Sequence, residues 1–239
     1  MSAPEELMAV LCAREIRNGE RFGVGVESPV PVVGAMLALR LGAPHARAAS
    51  RSMPGGPILF GSHEFSALAQ SGKIDLFFLS AAQIDSDANI NLQYIVVNGV
   101  KKPFLGPFAA PVYYSVIPRV VLFRAEHSPR VFVPKVDCVT AAGRPAPRER
   151  RAVGPSAIIT PKAVLRVCRE TGAIELQSFH AGETPASVQD ATGFTLKIPS
   201  DVHETPPITA DEAKILREHV YPQLGPKAVP WLAADEPKT

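Results

Sequence analysis

The sequence predicts an α/β protein with an open, mostly parallel sheet and flanking helices. Three observations favour this class. In the first half of the chain, segments with helical spacing alternate with short apolar segments typical of strands. The segment 74–80 is apolar and aromatic without alternation, which is typical of a strand covered on both faces. At 239 residues, the chain fits one domain, placed at 1–222, followed by a proline-rich tail at 223–239.

The first half of the chain supplies the helix and strand alternation. Ser2 and Glu5 form a capping-box pattern at the start of the first predicted helix, and Gly19 ends it. The segments that follow are, in order, a strand at 21–27, a helix at 32–41, a strand at 46–49, a short apolar segment at 58–60, a helix at 64–70 and the strand at 74–80.

Strands dominate the second half. They are predicted at 90–97, 120–124, 131–133, 136–140 and 157–160, and a hairpin joins 165–168 to 173–177. The segment 143–154 is rich in Arg and Pro and predicts an exposed loop. Thr209 and Glu212 form a second capping box, which a late helix follows.

Composition excludes several classes of protein. Hydrophobic residues make up 46% of the chain and charged residues 20%, which is typical of a folded globular protein. The net charge is +2 without a basic stripe, so neither nucleic acid nor a membrane is expected as a partner. The three cysteines lie far apart and the histidines lack ligand spacing, so we expect no disulfide, no metal and a cytoplasmic location.

The strongest candidate for a binding site is the segment 80–91. A buried strand leads there into a turn that contains Gln83, Asp85, Asn89 and Asn91. Ligands of open α/β sheets bind at the carboxyl ends of strands, and amide side chains offer both donors and acceptors to a thioester or a pantetheine amide. The alternative is an Asx-type turn whose polar groups serve the backbone.

The same segment resembles a family signature. Gln83, Ile84, Asp85, Asn89 and Asn91 match the pattern G-G-A-Q-[IV]-D-x-x-G-N-x-N of the beta subunits of family I coenzyme A transferases, of the glutaconate CoA-transferase type. The segments 135–140 and 190–194 resemble the family's K-x-D-[YV]-V-[TS] and N-T-G-F motifs, in the same order. The resemblance extends over about residues 5 to 222. The beta subunits of steroid-ring-cleaving CoA hydrolases are related to the same family.

The resemblance implies a CoA-transferase-like α/β fold and a partner. An alpha-like subunit would complete an αβ or α2β2 assembly, acyl-CoA would be the substrate, and coenzyme A would enter only as part of that substrate. The residues that the resemblance assigns to substrate or CoA binding are Gly25, Pro29, Gln83, Asp85, Asn89, Asn91, Gly106 and Phe108.

The departures from the family pattern concern the chemistry. In the family, a glutamate carboxylate attacks the acyl-CoA, and Ala49 aligns with that glutamate. Glu27, after the first strand, is a weak candidate for a relocated carboxylate, and a solvated loop residue is the alternative. Ser80 and Ala81 replace the Gly-Gly pair, Ala88 replaces the later glycine, and the glycine-rich loop corresponds to 106–110.

Three functions are compatible with this pattern. The first is a beta-like subunit of a CoA-transferase-type enzyme whose alpha-like partner supplies the glutamate. The second is a subunit of a ring-opening CoA-thioester hydrolase, with an acyl pocket shaped by Phe104, Phe108, Tyr113 and Tyr114. The third is a non-catalytic assembly subunit.

Overall fold

The computed structural model describes residues 3–25, 27–49, 53, 62–104, 109–144, 154–168, 171–225 and 229–233. The strands are β1 (Arg21–Val24), β2 (Arg47–Ala48), β3 (Leu76–Ser80), β4 (Gln83–Ile84), β5 (Ile90–Asn91), β6 (Tyr94–Val97), β7 (Val100–Pro103), β8 (Arg119–Phe123), β9 (Pro155–Ile159), β10 (Ala163–Val167), β11 (Ile174–Phe179) and β12 (His203–Glu204). The helices are α1 (Pro4–Glu15), α2 (Pro29–Leu41), α3 (Ser62–Gln70), α4 (Ala110–Val116), α5 (Pro185–Asp190), α6 (Ala210–Ile215) and α7 (Pro230–Ala233). A π-helical turn (Leu216–Val220) and a 3-10 turn (Tyr221–Gln223) follow α6.

Eight strands form one sheet, in the order β12-β11-β10-β9-β8-β3-β1-β2. The pairs from β2 to β9 are parallel, β10 is antiparallel to both of its neighbours, and β12 is parallel to β11. The predicted open, mostly parallel sheet with flanking helices is therefore confirmed. Two small hairpins, β4–β5 and β6–β7, stand outside this sheet.

Both faces of the sheet are buried. Along β3, Leu76 and Phe78 belong to the apolar cluster that contains α1 and α2, whereas Phe77 belongs to the cluster that contains α3 and α4. Successive side chains of a strand point to opposite faces, so a strand covered twice needs an unbroken apolar run. Gly34 lets α2 approach α1, because a Cβ there would overlap the carbonyl oxygen of Ala9.

Several predicted elements differ in the structure. The segments 131–133 and 136–140 are not strands. The chain there makes only single bridges, from Phe132 to Ile84 and from Ala141 to Ile90, and Pro134 interrupts it. The predicted strand 90–97 is broken into β5 and β6, because the Asn91 side chain accepts the backbone N–H of Gln93 and turns the chain.

The ends of the chain are partly described. The first helix has Ala3 rather than Ser2 as its N-cap, and Ser2 itself lies outside the described residues. The second capping box is confirmed: Thr209 and Glu212 bond each other's backbone N–H groups at the start of α6. Beyond the predicted domain boundary at 222, Trp231 of the tail packs against the cluster that contains α1 and α2. Among the described residues, no helix is long and apolar enough to cross a membrane.

Candidate functional site

The carboxyl ends of four parallel strands meet at one edge of the sheet. The residues that directly follow β1, β2, β3 and β8 are Gly25, Ala49, Ala81 and Arg124. Backbone hydrogen bonds keep this edge in register: Gly25 N donates to Phe78 O at 3.3 Å, and Ala49 N donates to Phe22 O at 2.8 Å. This edge is where open α/β sheets bind their ligands.

Gln83 is the centre of a buried amide network just beyond β3. Its Oε1 accepts from Asn91 Nδ2 at 2.7 Å and from the backbone N of Asp137 at 3.0 Å. Its Nε2 donates to Asp137 Oδ2 at 3.0 Å, which leaves one amide hydrogen beyond these bonds. The network joins the β4–β5 hairpin to the segment 135–140, which resembles the family's K-x-D-[YV]-V-[TS] motif.

Asn91 is fully enclosed, and its side chain is saturated within the protein. Besides its bond to Gln83, Nδ2 donates to Tyr94 O at 2.7 Å, and Oδ1 accepts from Gln93 N at 3.0 Å. Both amide hydrogens are therefore used. Asn91 therefore holds the backbone of the site through buried hydrogen bonds and is not itself exposed to a ligand.

Asp85 organises the turn that follows β4. Its Oδ1 accepts from the backbone N of Asp87 at 3.1 Å and of Asn89 at 3.0 Å, and its Oδ2 accepts from Asn89 Nδ2 at 3.1 Å and Val136 N at 3.3 Å. The Asx-type turn that the sequence left open is thus present. A buried carboxylate with four donors holds this turn in place.

The turn after β4 contains a residue in the left-handed backbone conformation that is not a glycine. Ala88, which stands where the family signature has glycine, has a φ of 57°. Tyr114 holds its carbonyl oxygen with a hydrogen bond of 2.6 Å, and Gly143 packs so closely on the turn that a Cβ would overlap Ala88. Asn89 Oδ1 accepts from Gly143 N at 3.0 Å. The surroundings therefore impose a backbone shape that alanine adopts only under strain.

The turn after β1 and the end of β2 lie at the same edge. Glu27 is exposed, with a φ of 52°, and Pro29 is the first residue of α2. Ala49 is only 3% exposed and belongs to the apolar cluster around α3. Gly106 and Phe108, which the resemblance assigned to the site, lie outside the described residues.

The tyrosines proposed for an acyl pocket serve the core instead. Tyr114 is fully enclosed beneath the Ala88 turn. Tyr113 packs edge-on against Phe65 and tilted against Phe77, with ring centroids 4.9 Å apart in both pairs. Phe104 is 40% exposed at the end of the β6–β7 hairpin.

Two residues of this edge were missed as candidates. Asp137 bonds both Gln83 and, through Oδ2, Val96 N at 2.9 Å. Arg124 follows β8, and its buried Nε has no hydrogen-bond partner among the described residues. Its position after a central parallel strand was the signal that could have identified it.

Glu126 leaves the Arg124 guanidinium only loosely paired. Its carboxylate lies 3.9 Å from Arg124 Nη2, but it accepts from Ser128 Oγ at 2.6 Å and pairs with Arg130 at 3.1 Å. The hydrogen bond from Ser128 and the charge of Arg130 lower the pKa of Glu126. In the described part of the chain, no three His, Cys, Asp or Glu side chains are grouped to hold a metal ion.

The chain is similar in sequence to the B subunits of two CoA-transferases. It is 27% identical over 250 residues to the B subunit of glutaconate CoA-transferase from Acidaminococcus fermentans, covering 91% of this chain and 92% of the relative. It is 29% identical over 241 residues to the B subunit of 3-oxoadipate CoA-transferase from Pseudomonas knackmussii, covering 89% and 91%. No family model matches the chain.

Solved structures share the fold. The glutaconate coenzyme A-transferase of Acidaminococcus fermentans superposes with a TM-score of 0.80 at 24% identity, over 92% of this chain and 95% of that one. The decarboxylase AibA/AibB gives 0.78 at 21% identity, over 91% and 94%. IpdAB of Rhodococcus jostii gives 0.78 at 21% identity, over 92% and 95%.

The fold is that of CoA-transferase-type α/β subunits. More particularly, over about nine-tenths of its length the sequence is similar to those of the B, or beta, subunits of two such enzymes. The family resemblance seen in the sequence is therefore confirmed.

Proposed function

We propose that this chain forms half of an active site that acts on an acyl-CoA thioester, and that an A-type partner supplies the catalytic carboxylate. The observation that carries the proposal is Ala49. It lies at the carboxyl end of β2, where the family resemblance places the glutamate, and it is enclosed by apolar neighbours. A methyl group can be neither nucleophile nor leaving group, so the carboxylate must come from elsewhere.

Two carboxylates that the structure describes at this edge, those of Asp85 and Glu27, are poorly suited to replace the glutamate. Asp85 is 3% exposed and accepts four hydrogen bonds, so its lone pairs are committed. Glu27 is exposed in the free chain and could react only if the partner covered it. Substitution of Glu27 by Gln in the assembled enzyme tests this point: we expect kcat to stay within about twofold. A loss of several orders of magnitude would assign the nucleophile to Glu27.

The role of this chain is then to fix the backbone of the site and to supply a positively charged side chain. Gln83, Asp85, Asn89 and Asn91 act as positioning residues that fix the turn after β3, and Gln83 keeps one amide hydrogen for a ligand. Arg124 supplies a guanidinium whose Nε has no partner among the described residues. The side chain is 35% exposed, so an acidic acyl group or a phosphate of CoA would bind its terminal nitrogens with a charge-assisted hydrogen bond.

The partner is expected on the β6–β7 hairpin, the surface formed by residues 94–104. Val100 is 61% exposed and Phe104 40%, whereas Val96, which is 44% exposed, lies on the opposite face of the hairpin from Val100, because Val100 pairs with Val97. Asp137 bonds the hairpin at Val96 N and the site at Gln83. A partner seated on this hairpin would therefore border the candidate site, in an αβ or α2β2 assembly.

The reaction itself is tested on the reconstituted complex. A transferase requires an acceptor acid and forms a second acyl-CoA. A ring-opening thioester hydrolase, the second candidate that the Ala49 substitution favours, incorporates ¹⁸O from labelled water into the product acid. Both reactions should be assayed with and without acceptor, and release of carbon dioxide should be followed, since a decarboxylase shares this fold. If the complex forms none of these products, the chain is a non-catalytic assembly subunit.

A further inference from the structure

A basic cleft of 460 Å³ lies at the amino-terminal edge of the sheet, opposite the candidate active site. It is lined by Gly19, Arg21, His45, Arg47, Gly72, Lys73 and Asp75. The turn after α1, the first residues of β1 and β2, and the turn between α3 and β3 contribute these residues. Because β1 has four residues, about 13 Å of strand separates this cleft from the carboxyl edge.

Two arginines occupy paired positions of neighbouring strands at this cleft. Arg21 of β1 and Arg47 of β2 are paired positions of neighbouring parallel strands. Like charges at paired positions of adjacent strands repel each other and destabilise a sheet. Arg21 Nη1 donates to the carbonyl oxygen of Lys73 at 3.3 Å, which holds the Arg21 side chain against the turn before β3.

These cations lack neutralising carboxylates within the described part of the chain. Arg21, Arg47 and Lys73 take part in none of its ion pairs. Asp75 lines the cleft, but its Oδ2 accepts the backbone N–H of Arg21 at 2.8 Å. Glu20, the preceding residue in the chain, is turned to Arg119 at 2.6 Å. The cleft therefore carries three basic side chains against one carboxylate.

The shape of the cleft suits a small phosphorylated molecule. Gly19 and Gly72 have φ values of 83° and 69°, and a Cβ at either position would meet nothing within 4 Å, so the rim is open. The volume falls within the range of small-molecule sites. Guanidinium groups bind phosphate oxygens in a bidentate manner, and the three cations, less the Asp75 carboxylate, leave an excess of two positive charges for a diphosphate.

We infer that this cleft binds the diphosphate group of a small molecule, with Arg21, Arg47 and Lys73 as its ligands. The diphosphate can belong to a free nucleotide or to coenzyme A, and the two sources share this chemistry. Binding relieves the repulsion between Arg21 and Arg47, so the anion stabilises the folded chain. The inference is independent of the proposed reaction at the opposite edge.

The test is calorimetric titration of the full chain with inorganic pyrophosphate, ADP and CoA, with thermal unfolding measured alongside. We expect saturable binding of pyrophosphate and ADP, a higher Tm on binding, and weaker binding as salt is raised. Arg47→Gln should weaken binding about tenfold and, without ligand, leave Tm equal or higher, because a like-charge pair is lost. Displacement of ADP by CoA would assign the diphosphate to CoA, and its absence would assign it to a free nucleotide.

Lys214→Gln provides the control. Lys214 is an exposed residue of α6, away from the cleft, and its loss changes the net charge by the same amount. Pyrophosphate affinity should stay within about twofold of wild type in this variant. The inference is overturned if neither pyrophosphate nor ADP binds saturably, or if Lys214→Gln weakens binding as much as Arg47→Gln does.

Discussion

The side-chain amide of Asn91 donates a 2.7 Å hydrogen bond to Oε1 of Gln83, the residue opposite it in the β4–β5 hairpin. Asn91 also donates to Tyr94 O, so two acceptor oxygens face the same nitrogen. Asn91→Asp would bring a carboxylate oxygen against both acceptors in a fully enclosed position. We expect the free energy of unfolding to fall by about 3–5 kcal/mol, measured by urea denaturation.

Gln93→Glu is the matched control for this change. Gln93 is exposed, and its Oε1 accepts from Cys138 Sγ, which a carboxylate can also do. Its unfolding free energy should stay within about 0.5 kcal/mol of wild type. A loss below about 1 kcal/mol in Asn91→Asp would contradict the view that the amide network holds this hairpin.

We expect Ala88→Gly to change the free energy of unfolding less than an alanine-to-glycine substitution at a buried position usually does. Ala88→Gly removes a buried methyl worth about 0.8 kcal/mol and adds chain entropy, but it also relieves left-handed strain of about 1–2 kcal/mol. The unfolding free energy should therefore change little. Ala81→Gly, at a buried residue of the same segment without a positive φ, should lose about 1–2 kcal/mol. Equal losses in the two variants would refute the strain at Ala88.

His127 makes the stability of the chain dependent on pH. Its ring nitrogens bond Thr160 Oγ1 at 2.8 Å and Thr192 Oγ1 at 3.0 Å. Burial, with the charge of Lys162, lowers the pKa of His127 to about 4, from 6.5. The unfolded chain therefore takes up a proton at a higher pH than the folded chain does. This contribution to stability is absent above about pH 7.5 and becomes increasingly unfavourable as the pH falls towards 4.

The expected loss from His127 is on the order of 2–3 kcal/mol between pH 7.5 and pH 4. Urea denaturation at a series of pH values measures it. His127→Gln should flatten the dependence, whereas His203→Gln, at an exposed histidine, should leave it unchanged. Part of the slope should remain in His127→Gln, because burial also lowers the pKa of His180. An unchanged slope in His127→Gln would exclude His127 as its source.

The β6–β7 hairpin predicts where the A-type partner binds. Val100→Glu places a charge on a side chain that is 61% exposed in the free chain, so the fold should lose no more than about 0.5 kcal/mol. Burial of that charge against a partner should weaken assembly at least tenfold, as measured by analytical ultracentrifugation of the mixed subunits. Leu41→Glu, at another exposed apolar residue at the end of α2, should assemble normally. Normal assembly of Val100→Glu would move the interface elsewhere.

The sequence predicts the sheet better than it predicts the site. Ile74 to Ser80 could be assigned because a doubly covered strand carries a continuous apolar run. The segments 131–133 and 136–140 have the same local composition, yet their backbone groups bond a hairpin in single bridges, and this depends on contacts distant in sequence. Gln83 and Asn91 are predicted from the sequence as binding residues, and only the fold reveals that they bond each other. The position of Arg124 after a central strand can be read from the sequence, whereas its unpaired Nε is a property of packing.

Arg124 predicts a specific kinetic effect in the assembled enzyme. Its guanidinium follows β8 at the carboxyl edge and shares Glu126 with Ser128 and Arg130. If it holds an anionic group of the substrate equally in the ground state and the transition state, Arg124→Gln should raise KM for acyl-CoA about tenfold and leave kcat nearly unchanged. Arg124→Lys should recover part of this loss, because a lysine keeps the charge without the planar donors.

Arg130→Gln tests whether the effect of Arg124 on substrate binding depends on how strongly Glu126 pairs with Arg124. Arg130 is 83% exposed and pairs with the same carboxylate, so its loss frees Glu126 for Arg124. We expect Arg130→Gln to raise KM slightly, because a freed Glu126 competes with the substrate for Arg124. Steady-state kinetics of the three variants in complex with the partner decides the matter. A fall in kcat at constant KM in Arg124→Gln would mean that the guanidinium acts on the transition state alone, as a catalytic group.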